Sequence, residues 1–210
     1  MESVVVRLLV CFALGSIPFA MISMAGSGID IRKVGSGNPG FNNVLRVSKG
    51  RSALALIGDL GKGYLAVWLV LRAWPLPGSV SPWPDAIGWA WLCGFAAVLG
   101  HCFSPLLGFN GGKGIATSAG VMLVLYPLWA LGALAYFVLC RVGLGKLKRP
   151  EAGAVASLTT WVVFTILLLA FVGWVDAACS AALTLFLVWR HGRNLQNLLG
   201  HAVKAKAVTP

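Results

Sequence analysis

Acidic side chains are scarce in this chain: six Asp and Glu stand among 210 residues, against seventeen Lys and Arg. Glu2, Asp30, Asp59, Asp85, Glu151 and Asp176 are too scattered to gather a divalent centre, and no His, Cys, Asp and Glu cluster has metal-ligand spacing. Charge of either sign is sparse. Only 11% of residues are charged and 58% are hydrophobic, with a mean hydropathy of +0.83, whereas about a quarter of a soluble domain is charged. That balance argues against a soluble domain and for an integral membrane protein. Close cysteine pairs are also missing. Cys11, Cys93, Cys102, Cys140 and Cys179 lie in or beside apolar runs and read as small buried hydrophobes, with neither a disulfide framework nor a metal site implied. The first apolar run passes into Ser23, Gly26 and Ser27 without a small-residue cleavage pattern, so it is expected to be a retained span. No second domain is visible, and residues 1–210 are read as one membrane-embedded domain.

What is abundant is apolar sequence with glycine and tryptophan. The 26 glycines suit close helix contact and the 9 tryptophans suit the membrane interface. Apolar runs cover residues 4–24, 53–73, 87–107, 114–140, 154–173 and 175–190, each approaching or exceeding the roughly 20 residues that span a bilayer. The fourth run contains Pro127 near its centre. Read as one helix it gives six spans; read as two short spans of about 13–15 residues turning at Tyr126 and Pro127, it gives seven. Lysine and arginine distribution favours seven. Seven spans place Arg32, Lys33, Arg46, Lys49, Arg51, Lys113, Arg141, Lys146, Lys148, Arg149, Arg190, Arg193, Lys204 and Lys206 on one face, the cytoplasmic one. Arg7 and Arg72 lie near the other face, whose 74–86 loop has no base. The expected fold is all-α, with seven transmembrane helices, two short central spans, an outer amino terminus and a cytoplasmic carboxyl terminus.

Three polar patches then converge on the cytoplasmic face: GSGNPGFNNVLR at 35–46, HCFSPLLGFNGGKG at 101–114 and WRHGRNLQNLLGH at 189–201. Gly35-Ser36-Gly37 has the composition of a backbone anion nest, and Gly111-Gly112-Lys113-Gly114 repeats the idea before a helix amino terminus. A nucleotide P-loop is excluded, since Lys113 is followed by Gly114 and the required spacing is absent. Asp59 and Lys62 share one helix face, where ionised groups must pair or face a polar cavity, and Asp59 is expected to orient Lys62. His101 ends an apolar helix beside the glycine loop and is placed to accept or share a proton. His191, between Arg190 and Arg193, reads more simply as part of a lipid-facing basic anchor. Asn194 can hold a substrate hydroxyl or a phosphate oxygen without adding charge. The net charge of +11 is divided among membrane loops, which suits anionic headgroups and phosphorylated substrates and not nucleic acid.

In combination these residues resemble the bacterial membrane glycerol-3-phosphate acyltransferases that use acyl-phosphate. The resemblance runs nearly the full length through Gly15-Ser16-Ile17-Pro18, GIDIRKVGSGNPGFNNVLR at 28–46, Asp59 with Lys62-Gly63, HCFSPLLGFNGGKGIAT at 101–117 and RHGRN at 190–194. It implies transfer of an acyl group from acyl-phosphate to the 1-hydroxyl of sn-glycerol 3-phosphate, giving lysophosphatidate and phosphate at the cytoplasmic face of the inner membrane. No cofactor is implied, the partners are the two substrates and membrane lipid, and the oligomeric state is left open, a monomer being compatible with the resemblance. On this resemblance Ser36, His101 and Asn194 carry catalysis. Gly35, Gly37, Asn38, Arg46, Lys62, Gly111, Gly112 and Lys113 bind the two anions, and Asp59, Ser157 and His201 support them. An activated donor needs no covalent enzyme intermediate, and Ser36 has no Ser-His-Asp arrangement.

The chain departs from the family at Met24, where a lysine is usual, at Phe41-Asn42, and at Ala154-Val155-Ala156, where only the last serine of the segment, Ser157, is kept. It departs again at Asn197 and at Gly200-His201-Ala202, where the family's glutamate is lost and His201 is expected to support Asn194 in its place. A transporter for a phosphorylated anion is the alternative reading, since basic residues and broken helices also line pathways. The crowding of polar motifs on one face, with no matching vestibule opposite, favours the enzyme.

Overall fold

The computed structural model describes residues 2–73 and 84–208, and side chains except those of residues 2, 3, 73, 84–87 and 201–208. Most of the 74–86 loop, with the side chains of Asp85 and His201, therefore falls outside the described residues. All regular structure among the described residues is helical: α1 (Glu2–Ser16), α2 (Phe19–Met24), α3 (Phe41–Val47), α4 (Lys49–Trp68), α5 (Pro84–Cys102), α6 (Ile115–Leu125), α7 (Pro127–Lys146), α8 (Ala152–Phe171), α9 (Trp174–Arg190) and α10 (Gly192–Val208). Among them, five segments are long and apolar enough to cross a membrane: Val4–Met24, Lys49–Arg72, Gly88–Leu107, Pro127–Lys146 and Ala152–Phe171.

Two of the apolar runs are interrupted, and proline accounts for both breaks. Pro18 splits the first run into α1 and α2, because proline lacks a backbone donor and its ring clashes with the preceding turn. Pro127 opens α7 at a helix start, where its missing N–H has no intrahelical partner to lose. The turn at Tyr126 and Pro127 stands as expected, but the two pieces are unequal. In place of two short spans, α6 has 11 residues and α7 has 20, because α7 continues past the end of the apolar run through Arg141 to Lys146. The polar 189–201 segment also becomes helical, as α10.

The chain divides into two compact units, Met1–Pro127 and Leu128–Pro210. In the first, α1 packs along α5 and α4 along α6. Both contacts run through glycine. A Cβ on Gly63 would stand 2.0 Å from the Thr117 carbonyl oxygen, and one on Gly120 would stand 1.9 Å from that of Leu60. Gly15 and Gly100 make the equivalent approach between α1 and α5, to the carbonyls of Ala97 and Phe12. This is the small-residue packing that lets membrane helices meet backbone to backbone. Cys11, Ala66, Val70, Cys93 and Ala97 fill one core, in keeping with the reading of these cysteines as small hydrophobes, while Ala20, Met24, Ile31, Val44 and Ala55 fill another beneath α3. The polarity is inverted relative to a soluble protein: Ile57 and Leu9 point outward while Asp59 and Lys62, on the same helix as Ile57, are buried.

In the second unit, α8 and α9 share a buried hydroxyl chain, with Thr165 Oγ1 2.7 Å from Ser180 Oγ and 3.3 Å from Thr184 Oγ1. Trp129 stacks on Phe171 with centroids 5.1 Å apart, and Leu128, Leu139 and Leu185 face outward.

Gly61 lies two residues from Gly63 on α4, yet nothing lies within 4 Å of where its Cβ would stand. Gly63→Ala is expected to destabilise the protein by about 1–3 kcal/mol, and Gly61→Ala to be neutral or slightly stabilising. Thermal unfolding of the two variants in detergent checks this, and equal midpoints would contradict the α4–α6 packing.

Candidate active site

The break at Pro18 organises the first unit's polar interior. The carbonyls of Ser16 and Ile17 point inward at the break and each takes a side-chain donor from another helix. Ser104 Oγ donates to Ser16 O at 2.6 Å, and Lys62 Nζ donates to Ile17 O at 2.8 Å. Lys62 Nζ also lies 2.8 Å from Asp59 Oδ1, and its ammonium stands 5.9 Å from the Phe19 ring centroid. Both charged side chains are 3% exposed. His101, at the end of α5, brings Nδ1 to 3.4 Å from the same Asp59 oxygen. One carboxylate therefore faces both a lysine and a histidine. A proton on Nδ1 would face this carboxylate, and in that tautomer Nε2 is the basic nitrogen.

Around this cluster is a recess lined by Ile17, Pro18, Phe19, Pro39, Asp59, Lys62, His101, Ser104 and Gly112, among others, with room for about one water. Gly112 is required by contact: a Cβ there would stand 2.1 Å from His101 Nε2. Lys113, the next residue, is half-buried.

Pro39 links the recess to the 35–46 loop. That loop is organised by Asn43, which is 1% exposed. Its Nδ2 donates to Ile31 O and Val34 O, both at 2.9 Å, and its Oδ1 accepts from the backbone N–H of Ser36 at 3.1 Å. Gly35 sits at φ +58 against this amide, where a Cβ would stand 2.4 Å from Asn43 Oδ1 and 3.5 Å from Arg46 Nη1. Ser36 is exposed, and its Oγ accepts from Asn38 N at 3.4 Å. At the loop entrance Arg32 pairs with Asp30, and its N–H groups hold the Asp30 carboxyl below the usual carboxylate range.

The glycine segments use part of their backbone internally. The N–H groups of Ser36 and Gly37 are taken by Asn43 Oδ1 and Val34 O, and those of Gly111 and Gly112 by Cys102 O and His101 O. These four donors are thus satisfied within the fold. Lys62 meets Asp59 as expected, and it makes a further contact with the Ile17 carbonyl at the helix break. In the first unit the structure thus gathers Asp59, Lys62, His101 and Gly112 at one recess and joins Gly35, Ser36, Asn38 and Arg46 to it through Pro39.

Asn194 and Ser157 belong to the second unit. Asn194 Nδ2 donates to Glu151 Oε2 at 2.5 Å, and Asn197 Nδ2 donates to Glu151 Oε1 at 2.9 Å. Ser157 Oγ donates to Gly153 O of its own helix at 2.8 Å, and His191 Nδ1 lies 2.8 Å from Leu187 O at the end of α9.

The family model for glycerol-3-phosphate acyltransferase matches residues 5–201, which contain every polar group just described. The chain belongs to the glycerol-3-phosphate acyltransferase family. It is 41% identical over 192 residues to glycerol-3-phosphate acyltransferase 1 of Deinococcus radiodurans, covering 91% of this chain and 89% of that one. It is 40% identical over 194 residues to the glycerol-3-phosphate acyltransferase of Aromatoleum aromaticum, covering 91% of each. Its fold is similar to the crystal structure of PlsY, an integral membrane glycerol 3-phosphate acyltransferase, in the glycerol 3-phosphate form. The TM-score is 0.78 at 28% identity, over 95% of this chain and 93% of that one. The lysophosphatidic acid form of PlsY gives 0.77 at 27% identity.

Three participants were not singled out by sequence reasoning: Asn43, Ser104 and Glu151. Asn43 carried a signal, being the second asparagine of Phe41-Asn42-Asn43 in a turn-rich loop; nothing in the sequence connects Ser104 to Ser16 or Glu151 to Asn194. Asn43→Ala takes the side-chain partner from the Ile31 carbonyl and the Ser36 N–H, at about 1–3 kcal/mol for each buried group left unpaired, while the Val34 carbonyl keeps the Gly37 N–H. We expect faster proteolysis within residues 31–43 and reduced activity, with α4–α6 intact by circular dichroism. Wild-type proteolysis rates would show that the loop does not depend on Asn43.

Proposed function

We propose that the protein transfers a fatty acyl group from acyl-phosphate to the 1-hydroxyl of sn-glycerol 3-phosphate, releasing 1-acyl-glycerol 3-phosphate and phosphate. Acyl transfer to glycerol 3-phosphate follows from the family; the acyl-phosphate donor and the residue roles are our reading. The observation that carries it is the Asp59, Lys62 and His101 cluster beside a recess in an otherwise apolar helical body. Ionised groups in such a body are costly unless they serve an anionic substrate or a proton transfer.

In this reading the 1-hydroxyl oxygen attacks the acyl carbonyl carbon and forms the ester bond. The carbonyl carbon–oxygen bond to phosphate breaks, and phosphate departs. The hydroxyl proton passes to His101 Nε2, or to a phosphate oxygen that His101 holds. Asp59 sets the tautomer that makes Nε2 the acceptor. Lys62 and Lys113, with Arg46 at the loop, balance the charge of two anionic substrates that would otherwise repel. Ser36 and Asn38 orient the glycerol end, and Gly35, Gly37, Gly111 and Gly112 keep backbone close to it. Asn194 engages a substrate hydroxyl, supported from its own unit. Ser157 and His201 remain assigned as supports of that segment. Direct transfer suffices, since the donor is already activated.

Residues 1–210 act as one membrane-embedded domain in this reading. It has seven spans in the bacterial inner membrane, counting α1 with α2 as the first and α4 to α9 as the rest, with the carboxyl terminus and the active site cytoplasmic. The basic loops at 32–51 and 141–149 support this sidedness.

Purified protein given radiolabelled glycerol 3-phosphate is expected to form lysophosphatidate with acyl-phosphate and none with acyl-CoA. Product from acyl-CoA alone would reassign the donor, and product from neither would favour the anion transporter. For topology, cysteines placed at Ser48 and Gly145 are expected to resist an impermeant label in intact cells and to react after permeabilisation. Labelling at 145 from outside, with 48 protected, would overturn the seven-span arrangement.

A further inference from the structure

Glu151 belongs to no motif used above, yet it contacts Asn194, a carboxamide assigned to substrate. It lies in the short connection between α7 and α8, in the left-handed backbone region at φ +54, a conformation uncommon for a residue other than glycine. Its own carbonyl starts α8, accepting from Ala154 N and Val155 N at 2.9 and 3.0 Å. Its side chain turns to α10. Asn194 and Asn197 are three residues apart, so they present their amides from one helix face. The two carboxylate oxygens each take one of them, at 2.5 and 2.9 Å.

The chemistry of that contact removes an ambiguity. An ionised carboxylate only accepts hydrogen bonds, so the end of the Asn194 amide that faces it must be the NH2 group. The opposite end is then Oδ1, which only accepts. An asparagine with freedom to rotate could turn either end toward Glu151; clamped in this sense, it keeps Oδ1 as an acceptor directed away from the carboxylate. The glycerol 3-phosphate hydroxyls donate and its ionised phosphate oxygens do not. The clamp therefore fixes the side on which Asn194 can accept from a substrate hydroxyl.

We propose that Glu151 is a positioning residue that locks the orientation of the Asn194 carboxamide, with Oδ1 directed away from it, so that Asn194 accepts a hydrogen bond from a hydroxyl of glycerol 3-phosphate. This rests on the assignment of Asn194 to the substrate made above. Asn197 is the second arm of the clamp and takes up the other carboxylate oxygen. Support for Asn194 comes from the start of α8; the expected support from His201 lies outside the described side chains.

The test is steady-state kinetics on the full-length protein with Asn194→Ala, Glu151→Ala, Glu151→Gln and the double variant Asn194→Ala/Glu151→Ala. Inhibition by inorganic phosphate and thermal stability are measured on each. Glu151→Ala is expected to lower kcat/KM for glycerol 3-phosphate by about 10-fold or more, with the KM for acyl-phosphate and the phosphate inhibition constant unchanged. Glu151→Gln keeps an acceptor oxygen for Asn194 and is expected to stay within about 3-fold of wild type; it also carries the test if Glu151→Ala does not fold. In the Asn194→Ala background, Glu151→Ala is expected to add less than about 2-fold, since a residue acting only through Asn194 has nothing further to lose. If Asn194→Ala impairs turnover while Glu151→Ala stays within 2-fold, or if the two losses multiply, the clamp is wrong and the assignment of Asn194 stands. Phosphate inhibition weakened by the same factor would show that Asn194 serves phosphate, overturning the hydroxyl assignment. A fully active Asn194→Ala removes the assignment itself, and the clamp with it.

Discussion

A lysine and a carboxylate cannot stay ionised inside an apolar helical body unless each has a partner, and here they share a proline break. Pro18 cuts the first span and turns the Ser16 and Ile17 carbonyls inward. Lys62 takes one carbonyl and Ser104 the other. Asp59 neutralises Lys62 and, with the same oxygen, faces His101. Everything chemical in the first unit follows from that arrangement. The helix pairs that carry these groups meet through Gly15, Gly63, Gly100 and Gly120, so the distances that hold the cluster depend on backbone contact that any larger residue would prevent.

The same cluster suits the proposed donor. On that reading the acyl-phosphate already has a good leaving group, so the task left to the protein is to bring two anions together and manage one proton. Buried charge in a space for about one water makes each electrostatic contact strong, because little solvent screens it. The 35–46 loop brings its polar residues to this recess through Pro39, and its shape depends on Asn43, which satisfies two carbonyls and one N–H at once.

How much of this the sequence disclosed divides along physical lines. Span positions and the turn at Pro127 were legible, because apolar run length and proline chemistry are local. The lengths of α6 and α7 were not, since α7 extends through Arg141 and Lys146, which an apolar count treats as loop. The pairing of Asp59 with Lys62 was legible from their spacing of three. That Lys62 also holds Ile17 was not, because the contact spans 45 residues and the acceptor is a backbone atom present at every position. The internal partners of the glycine segments were hidden for a related reason: composition shows that backbone N–H groups are accessible to a partner but not which partner takes them, and four of them go to Val34, Asn43, His101 and Cys102. Glu151 illustrates the limit most sharply. It was dismissed with the other scattered acids, and only the fold brings it to Asn194.

The central claim is that the Asp59–Lys62 pair serves chemistry as well as the fold, and a charge-deletion cycle separates the two. Lys62→Met leaves a buried carboxylate without its lysine and Asp59→Asn leaves a buried ammonium without its carboxylate, each at a loss of about 3–5 kcal/mol. The double variant Asp59→Asn/Lys62→Met removes both charges, and its stability should return most of the way to wild type. The decisive measurement is kcat/KM of that double variant. The account expects a stable, correctly inserted protein whose efficiency stays at least about 100-fold below wild type. A double variant that regains both stability and turnover would show that the pair only holds helices together, and would move the chemistry away from the Pro18 break.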